Sequence, residues 1–345
     1  MNKTIISVDA MGGDNAPDIV IEGASLALEK DDSIKYRFFG NEKKILNLID
    51  RFPNLKKSSD IINCDSFIAM DEKPSQALKS GRNSSMAKAI KDVKAGNSKA
   101  VVSAGNTGAY MVFSKIILGC IPLIQRPAIQ AVLPTKSGHV VILDVGANLE
   151  CNSTNLVQFA FMSSVLCKSI LGIEKPRIGV LNIGSEDIKG HDHIRKAHQS
   201  LSNIKSLNYT GFIEPDEILN NAVEIVVADG FTGNVIIKTL EGASNFFTKM
   251  LRHHISNSAL GKLTYLFGKS SFSNMKKHLD PRMYNGAVFL GLNHTAVKSH
   301  GGTDAIGFEN AIKVTKKIVD DRVCERINEE ISSITPEMNL SLSNK

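Results

Sequence analysis

Tryptophan is absent from this sequence of 345 residues, and aromatic residues make up only 6% of it. Proteins that bind nucleic acid commonly combine basic patches with interleaved aromatic residues, so this scarcity argues against a nucleic-acid partner. The cysteines are scattered and contain no C-x-x-C pair, which argues against a disulfide or zinc framework and favours a reducing compartment. They are Cys64, Cys120, Cys151, Cys167 and Cys324.

Long apolar runs are also scarce. We expect no segment to span a bilayer, because a membrane helix needs about 20 consecutive apolar residues. The first residues, Met1–Asp9, enter a predicted strand at once and lack the charged and apolar regions of a signal peptide. These features predict a cytoplasmic protein.

The signatures of several enzyme classes are missing. Neither G-x-G-x-x-G nor G-x-x-x-x-G-K-[ST] occurs, so the sequence does not support a dinucleotide or a nucleoside triphosphate as ligand. The G-x-S-x-G and H-E-x-x-H motifs are absent as well. His191 and His193 flank Asp192 in a pattern that suggests a metal site, but alternate residues of a helix point apart. We therefore expect neither a metal nor a cofactor.

What the sequence does contain is typical of a globular protein, with 42% apolar residues, 22% charged residues and a net charge of +6. Apolar segments of strand length alternate with segments of helical periodicity, which predicts a mainly parallel sheet with helices on both faces. The predicted strands are Thr4–Val8, Tyr36–Phe39, Ile61–Cys64, Ala100–Ser103, Ala128–Leu133, Val140–Asp144, Arg177–Asn182 and Glu224–Ala228. The predicted helices are Glu42–Arg51, Pro74–Ala95 with a break near Gly81, Ala109–Leu118, Asn152–Leu171, Glu186–Ser202, Gly233–Met250 and Thr303–Ile331. Gly286–Ser299 is either a strand or a buried helix.

The turn after Ala100–Ser103 is the clearest candidate for an anion site. It contains Gly105, Asn106 and Thr107 and leads directly into a predicted helix. The free backbone N–H groups at a helix N-terminus attract anions, and phosphate is their commonest occupant. Ser103, Gly105, Asn106 and Thr107 are therefore the predicted phosphate cradle, although an ordinary helix cap gives the same pattern.

Four other predicted strand-to-helix turns combine glycine with polar side chains. They are Asp9–Asp14, Asp144–Asn148, Asn182–Gly190 and Asp229–Asn234. Ligands of open α/β sheets bind at the carboxyl ends of the strands, so we expect the five turns to line one polar crevice. Lys189 follows Glu186 by one predicted helical turn, and Lys238 follows Asn234 at i+4 on the same helix face. Either lysine could face the crevice as a positive charge or lie on the surface.

The segment from Phe246 to Arg282 differs in character. Two apolar stripes at helical spacing are interleaved with basic residues, which predicts a basic amphipathic helical hairpin at about residues 245–280. Such a hairpin can lie on an anionic membrane, contact an acidic partner, or pack on the core or on a second subunit. The predicted membrane or carrier surface comprises Leu260, Leu263, Leu266, Phe267, Lys276 and Lys277.

Taken together, these motifs resemble a known family. DAMGGD, SAGNTGA, LDVGANLEC, VLNIGSEDIKG, VADGFTGNVIIKTLEG and the Gly286–Gly302 segment occur in the order found in the acyl-(acyl carrier protein):phosphate acyltransferases of bacterial phospholipid synthesis. The resemblance covers residues 1–331. It implies a Rossmann-like three-layer αβα sandwich akin to the isocitrate/isopropylmalate dehydrogenases, a homodimer, and a cytoplasmic enzyme that associates peripherally with membranes. We expect one domain over residues 1–335 and a frayed tail over 336–345.

The resemblance also implies the reaction, in which an acyl group moves from acyl carrier protein to inorganic phosphate. A membrane acyltransferase would then use the acyl phosphate. The implied catalytic residues are Lys189, Lys238, Asn234 and His300. The implied phosphate- or substrate-binding residues are Asp9, Gly12, Gly13, Asp14, Ser103, Gly105, Asn106, Thr107, Asp144, Asn148, Glu186 and Asp229.

Three positions depart from the family pattern. Asn285 stands where the family usually has a second glycine after the tyrosine, Thr303 where it usually has serine, and the stretch Gly211–Ile218 differs from the usual glycine- and arginine-bearing version. The alternatives to the implied reaction are a related dehydrogenase, a phosphotransacetylase-like transferase that uses acyl-CoA, and a non-catalytic scaffold at the membrane surface.

Overall fold

The computed structural model describes residues 3–257, 260, 267–278 and 280–343. Within these residues, eleven strands form one sheet. The strands are β1 (Thr4–Asp9), β2 (Ile34–Gly40), β3 (Ser59–Asn63), β4 (Ala100–Ser103), β5 (Ala128–Pro134), β6 (His139–Leu143), β7 (Ile178–Leu181), β8 (Tyr209–Ile213), β9 (Ile225–Val227), β10 (Ala287–Leu290) and β11 (Thr295–Lys298).

Helices occupy most of the remaining described chain. They are α1 (Asp18–Lys30), α2 (Glu42–Ile49), α3 (Pro53–Lys57), α4 (Pro74–Ser80), α5 (Ser85–Lys94), α6 (Thr107–Leu118), α7 (Ser153–Leu171), α8 (Asp192–Ser202), α9 (Gly230–Ser256), α10 (Lys269–His278), α11 (Ala305–Asp320) and α12 (Val323–Ser343).

Two groups of parallel strands make up the sheet, whose order is β3-β2-β1-β4-β11-β10-β5-β6-β9-β7-β8. β3, β2, β1, β4 and β11 run in one direction. β6, β9, β7 and β8 are parallel to one another. Between the groups, β10 pairs antiparallel with β11 and β5, and β5 pairs antiparallel with β6. These three reversals leave the two groups running in opposite directions.

The sheet is covered on both faces because successive side chains of a strand point to opposite sides. In β4, Val102 packs in the core with α1 and α11, whereas Val101 packs in the core with α5 and α6. A third apolar cluster lies beside β6 and β9, where Ile142 and Val226 meet partly buried residues of α9. The described chain is therefore a mixed α/β fold with a mostly parallel sheet between helices, as predicted.

Several local predictions are confirmed. β4 covers Ala100–Ser103, and the predicted helix break near Gly81 separates α4 from α5. Of the two possibilities for Gly286–Ser299, the structure has strands, because this segment forms the antiparallel pair β10 and β11. β8 was not predicted, since the sequence analysis noted Gly211–Ile218 only as a departure from the family pattern.

Two helix predictions are wrong. The helix expected from Glu186 begins only at Asp192, because Gly190 before it has a φ of +82°, outside the helical region. The helix expected over Thr303–Ile331 is two helices, α11 and α12, separated near Arg322, whose φ is +54°. α12 also continues to Ser343, where a frayed tail was expected.

One described helix, α7, is long and apolar enough to cross a membrane by length and composition, contrary to the expectation for the sequence. However, 78% of its most apolar window is buried inside the fold. Phe159, Met162 and Leu166 of α7 lie in the main apolar core together with residues of β6 and β9. α7 is therefore packed as a core helix.

Candidate functional site

A first cluster of polar groups lies at the carboxyl ends of β1, β4 and β11, which are neighbouring parallel strands. Asp9 ends β1 and is buried, and its carboxylate accepts hydrogen bonds from the hydroxyls of Ser85 at 2.6 Å and Ser103 at 2.7 Å. Burial raises the pKa of Asp9, while these hydroxyls and the charge of Lys298 oppose the rise. Asp9 thus ties two strand ends to the start of α5 and is placed to orient other groups.

The N-terminus of α6 opens into this cluster. Asn106 caps the helix, since its Oδ1 accepts a hydrogen bond from the Ala109 N–H at 2.9 Å. The first bond within the helix runs from the Tyr110 N–H to the Asn106 carbonyl, so the N–H groups of Thr107 and Gly108 precede the helical ladder. Thr107 is exposed and Gly108 is half-buried at this helix end.

The side chain of Asn106 has a structural role. Its Nδ2 lies 2.8 Å from the carbonyl oxygen of Glu72, 2.9 Å from that of Met70 and 3.3 Å from that of Ala69. Both amide hydrogens are therefore directed at protein carbonyls. This corrects the prediction that the Asn106 side chain belongs to a phosphate cradle.

Two glycines of the cluster are needed for close packing. A Cβ on Gly12 would lie 2.6 Å from the Gly105 nitrogen, and a Cβ on Gly105 would lie 2.8 Å from the Met86 side chain. The Gly105 N–H is also engaged, because it donates to the hydroxyl of Ser103 at 3.0 Å. Gly105 therefore lets two loops meet, which corrects its predicted role as a backbone donor to phosphate.

The loop after β1 is also joined to the segment after β11. The Asp14 N–H donates to the Gly301 carbonyl at 3.0 Å, and Gly13 before it has a φ of +110°. The carboxylate of Asp14 lies beside Gly302, where a Cβ would be 3.3 Å from Oδ2. Asp14 is exposed, so its charge borders the cluster on the solvent side.

Lys298, the last residue of β11, is a charged side chain in the interior of the first cluster. It is only 7% exposed. Its Nζ donates to the Ala104 carbonyl at 3.1 Å and to its neighbour's carbonyl, that of Ser299. Burial lowers the pKa of Lys298 to about 7, although the negative charges of Asp9 and Asp14 favour the protonated form.

His300 projects to solvent from the same segment and is held by Asn285. The Asn285 Oδ1 accepts from the His300 N–H at 2.9 Å, and its Nδ2 lies 2.8 Å from the Ser299 hydroxyl and 2.7 Å from the Gly307 carbonyl. The His300 Nδ1 accepts a hydrogen bond from the Gly302 N–H at 3.2 Å. The neutral ring therefore carries its proton on Nε2, which leaves an N–H donor at the cluster surface.

A second cluster surrounds the turn after β6. Asp144 is fully buried, and its carboxylate accepts from the N–H groups of Ile129, Gly146, Ala147 and Asn148. Burial raises the pKa of Asp144, and these bonds oppose the rise. The Asn148 Nδ2 donates to Asp144 and to the Pro127 carbonyl, which commits both of its hydrogens. Asn148 is therefore a packing residue, contrary to the prediction that it orients substrate.

The start of α9 packs directly on this turn. Asp229 caps the helix through the Thr232 N–H at 2.8 Å. A Cβ on Gly233 would lie 1.9 Å from the Asp144 carbonyl oxygen, and one on Gly230 would lie 2.6 Å from that of Asn148. The glycines of this motif thus permit close helix packing. Asn234 is exposed one residue further on and lies near Gly146.

The two predicted catalytic lysines are surface residues. Lys238 forms an ion pair with Glu241 at 2.7 Å on the exposed face of α9. Lys189 lies in the loop before α8 rather than one helical turn after Glu186. The Lys189 and Glu186 side chains both lie beside Gly184, where a Cβ would be 3.2 Å from Lys189 Cγ and 2.7 Å from the Glu186 carboxylate.

The prediction that the five turns line one polar crevice is wrong. The turns after β1 and β4 follow strands of one parallel group, and those after β6, β7 and β9 follow strands of the other. The two groups run in opposite directions, so the strands of one group end where the strands of the other group begin. Their carboxyl ends therefore lie at opposite ends of the sheet, measured along the strands. The described residues at these strand ends therefore form two polar clusters, each with its own hydrogen-bond network.

The predicted hairpin is described only in part. α9 continues to Ser256, and Phe246, Phe247, Met250 and Leu251 of its second half are all more than 40% exposed. This stripe therefore does not pack on the chain's own core. Leu260 and Phe267 are also exposed. Leu263 and Leu266 lie outside the described residues, as do the side chains of Lys276 and Lys277 on α10.

The thiols have the properties of inert cysteines. All five are unpaired, and burial raises the pKa of Cys151 to about 12 and that of Cys64 to about 11. The pKa of Cys120 is also raised by burial. A thiolate is the reactive form of cysteine, so these side chains are poor nucleophiles at neutral pH.

Within the described residues, no group of three or more His, Cys, Asp or Glu side chains could hold a metal ion. The rings of His191 and His193 nevertheless do not point apart, since they stack with centroids 5.7 Å apart. The reason is that His191 precedes α8 as its N-cap and has extended backbone, so the two residues do not share a helix.

Comparison with known proteins identifies the family. Residues 4–326 match a family described as fatty acid synthesis protein. The phosphate acyltransferase of Paramagnetospirillum magneticum is 45% identical over 332 residues, which are 96% of this chain and 95% of that protein. The phosphate acyltransferase of Rhodospirillum centenum is 46% identical over 330 residues, 95% of this chain and 93% of that protein. The chain belongs to the phosphate acyltransferase family.

The fold of this phosphate acyltransferase is shared with solved structures of low sequence identity. The EutD phosphotransacetylase from Staphylococcus aureus has a TM-score of 0.58 at 15% identity, over 92% of this chain and 94% of that one. A phosphotransacetylase from Streptococcus pyogenes gives the same TM-score, identity and coverage. These likenesses establish the arrangement of strands and helices.

Two residues of the first cluster in this phosphate acyltransferase, Lys298 and Asn285, were not predicted from the sequence as site residues. Lys298 is the only Lys, Arg, Asp or Glu between Gly286 and Ser299, and a charge in such an apolar segment is a detectable signal. Asn285 was noted only as a departure from the family pattern. Its three hydrogen bonds depend on contacts between β10, β11 and α11, which no local sequence pattern encodes.

Proposed function

We propose that this phosphate acyltransferase moves an acyl group from the thioester of acyl carrier protein to inorganic phosphate. The observation that carries the proposal is the first cluster, where the N-terminus of α6, buried Lys298 and His300 meet at three parallel strand ends. A helix N-terminus and a buried cation are suited to an anionic substrate, and family membership supplies the reaction class. We also infer that the fold of this chain is related to that of the isocitrate/isopropylmalate dehydrogenases.

The chemistry requires no covalent enzyme intermediate. An oxygen of hydrogen phosphate attacks the thioester carbonyl, the new C–O bond forms, and the C–S bond breaks. The proton of hydrogen phosphate balances the thiol that leaves, so acyl phosphate and the free carrier thiol are the products. The protein has to hold the anion and stabilise the oxyanion that develops at the carbonyl.

The first cluster supplies groups for each task. The N–H groups of Thr107 and Gly108 and the Thr107 hydroxyl bind phosphate, while Asp9 fixes the strand ends beneath them. The His300 Nε2–H donates a hydrogen bond to the departing sulfur, which takes up the proton of hydrogen phosphate. Lys189, Asn234 and Lys238, with Glu186 and Asp229, follow strands of the other parallel group, so their predicted roles in oxyanion and substrate orientation stand apart from this site as separate predictions.

The decisive experiment removes a single N–H from the proposed phosphate site. Proline is tolerated at the first position of a helix, and Asn106 before it has a ψ of 117°, which suits a following proline. Thr107→Pro should therefore fold but raise the KM for phosphate about tenfold, the effect of losing roughly 1.4 kcal/mol of binding. Thr107→Val, which keeps the N–H, is the matched control and should show a smaller increase.

Acyl phosphate is measured by trapping with hydroxylamine, using acyl carrier protein and acyl-CoA as alternative donors. A preference for acyl-CoA would favour the phosphotransacetylase-like alternative. An unchanged KM for phosphate in a folded Thr107→Pro protein would contradict the assignment of the phosphate site, and absence of acyl phosphate with either donor would contradict the reaction.

We further propose a cytoplasmic homodimer that contacts the membrane peripherally. The exposed stripe on α9 supports an apolar contact outside the chain's own core. The product carries a long acyl chain, and each methylene that leaves water contributes about 0.8 kcal/mol, so release near a bilayer is favourable. A membrane acyltransferase that uses acyl phosphate is the corresponding partner.

A further inference from the structure

Lys298 is an unusual residue for the end of a strand. Lysine is almost never fully buried unless its charge is compensated, yet Lys298 is 7% exposed. Its Nζ reaches across from β11 to the Ala104 carbonyl at 3.1 Å, two residues before the cap of α6. The side chain therefore ends beside the turn that leads into the proposed phosphate site.

The number of hydrogen bonds that Nζ makes distinguishes its two protonation states. A neutral amine has two N–H groups, and the carbonyls of Ala104 and Ser299 accept both. An ammonium group has three N–H groups, so protonation adds a third donor as well as a positive charge. An anion bound at the adjacent helix end would accept this third hydrogen bond.

We propose that Lys298 binds the phosphate substrate and takes up a proton as the anion enters the first cluster. This proposal rests on the proposed function, since it assigns the charge that holds the same phosphate. The carboxylates of Asp9 and Asp14 face Lys298 from the loop that begins at the end of β1, and His300 follows it by two positions. A phosphate dianion adds negative charge to this group and therefore favours the protonated amine.

The direction of the pH dependence follows from the environment of the amine. Burial lowers the pKa of Lys298 to about 7 in the absence of an anion. Below this pH the ammonium form is already present, and anion binding requires no proton. Above it each binding event must protonate the amine, so affinity should fall about tenfold for each unit of pH.

Sulfate is the appropriate probe, because phosphate itself titrates near neutral pH whereas sulfate stays a dianion. We would measure sulfate binding calorimetrically between pH 6 and 9 in buffers of different ionisation enthalpy, which also counts the protons taken up. The wild-type protein should take up about one proton per sulfate at pH 8. Lys298→Arg keeps the charge at every pH, so it should bind without proton uptake and with a flat profile.

Two further variants separate Lys298 from other groups. Lys298→Met should weaken sulfate binding at least tenfold at pH 6, whereas Lys313→Met, an exposed lysine of α11, should leave it unchanged. His300→Gln should keep the pH profile, because the proton is taken up by the lysine. A profile that disappears in His300→Gln and persists in Lys298→Arg would overturn the proposal.

The wild-type measurement keeps the test decisive even if a Lys298 variant does not fold. Sulfate binding without proton uptake at pH 8 would contradict the proposal by itself. Failure of the proposed function gives a different result. In that case sulfate binds with the expected proton uptake, but the wild-type protein forms no acyl phosphate from either thioester.

Discussion

At the scale of single residues, polar side chains in this protein differ sharply in whether they remain available to a ligand. The Asn106 and Asn148 amides look equivalent to ligand donors in the sequence, but both are directed at protein groups. His300 differs, because its Nδ1 is fixed by the Gly302 N–H while Nε2 remains at an exposed position.

We predict that His300 acts on the chemical step and that Asn285 acts indirectly, by holding the backbone of His300 in place. His300→Gln should lower kcat on the order of 10²-fold with little change in the KM for phosphate, the usual effect of losing a hydrogen-bond donor to a developing negative charge. Asn285→Ala should lower kcat less and also lower the free energy of unfolding by about 1–3 kcal/mol, because it leaves buried partners without hydrogen bonds.

Steady-state kinetics and denaturant unfolding measure these two effects separately. Gln is the matched replacement for His300, since it keeps a polar side chain of similar size. Equal kcat values for His300→Gln and the wild type would rule out a hydrogen bond from His300 to the leaving group.

A second residue-scale prediction concerns the thiols. Cys120→Ser and Cys151→Ser should each retain most of the activity, because burial keeps both thiols protonated and phosphate attacks the thioester directly. Intact mass spectrometry during turnover should detect no acyl adduct. An adduct that accumulates on the wild type and is lost with either substitution would show a covalent mechanism instead.

At the scale of elements, α9 combines two different halves in one helix of 27 residues. Its first turn contains Gly230 and Gly233 and packs on the Asp144 turn. Its second half carries Phe246 and Phe247, which are 59% and 68% exposed. Exposed aromatic residues at this density are typical of a surface that contacts a partner or a membrane.

We predict that this exposed stripe mediates membrane contact. Phe246→Asp with Met250→Asp should abolish cosedimentation with vesicles of anionic lipid, because it removes apolar insertion and adds charge repulsion. Turnover of a soluble substrate should stay within about twofold of wild type. Asn245→Asp with Thr248→Asp adds the same charge elsewhere on the helix and should weaken binding only partly.

The same variants test the alternative explanation for the stripe. Analytical ultracentrifugation of Phe246→Asp with Met250→Asp should show the same assembly as the wild type. Dissociation of a wild-type dimer by these substitutions would place the stripe in a subunit interface and would contradict the membrane assignment.

α10 carries the lysines predicted to contact the carrier protein. Lys276→Glu with Lys277→Glu should raise the KM for acyl carrier protein about tenfold at low salt, and less at high salt, because exposed charges are screened within about 10 Å at 0.1 M salt. The KM for phosphate should not change. A carrier KM that is independent of these substitutions at low salt would assign carrier binding to another surface.

At the scale of the whole molecule, ionised carboxylates join distant segments. Asp92 of α5 accepts hydrogen bonds from Ser7 of β1, Arg37 of β2 and Ser98 before β4. Burial alone would raise the pKa of Asp92, but these bonds outweigh it and the pKa is lowered. The pKa values of Asp31, Glu224 and Asp304 are lowered as well.

We predict that these carboxylates make the fold sensitive to acid. A lowered pKa means that the unfolded state binds more protons, so this stabilisation is complete above the unfolded pKa, near 4, and disappears as pH falls through the folded pKa. The thermal unfolding temperature, measured between pH 6 and pH 3, should fall as this stabilisation is lost. The Asp92→Asn protein should be less stable than wild type at pH 6, and its stability should fall less than that of wild type on acidification.

Asp9 and Asp144 act in the opposite direction, because their raised pKa values favour the folded state at low pH. The difference between wild type and Asp92→Asn in the stability lost on acidification isolates the contribution of Asp92 from those of Asp9 and Asp144. Equal losses for the two proteins on acidification would show that Asp92 has no part in acid unfolding.

Much of the local structure follows from the sequence. The predicted bounds of β4 and the break between α4 and α5 match the structure because apolar periodicity and glycine act over a few residues. The start of α8 was missed because the positive φ of Gly190 interrupts a segment whose composition suits a helix. The candidate site was predicted less well, since its geometry depends on residues far apart in the chain.

The sequence by itself determined the alternation of strands and helices, the set of polar turns and the family to which the protein belongs. Only the tertiary structure decided that β10 and β5 reverse the strand direction, which divides the turns between two clusters. Lys298 and Ala104 meet across 194 positions, and Asp9 and Ser103 across 94. Burial and hydrogen-bond partners set the charge and availability of these groups, and both arise from contacts that local sequence does not specify.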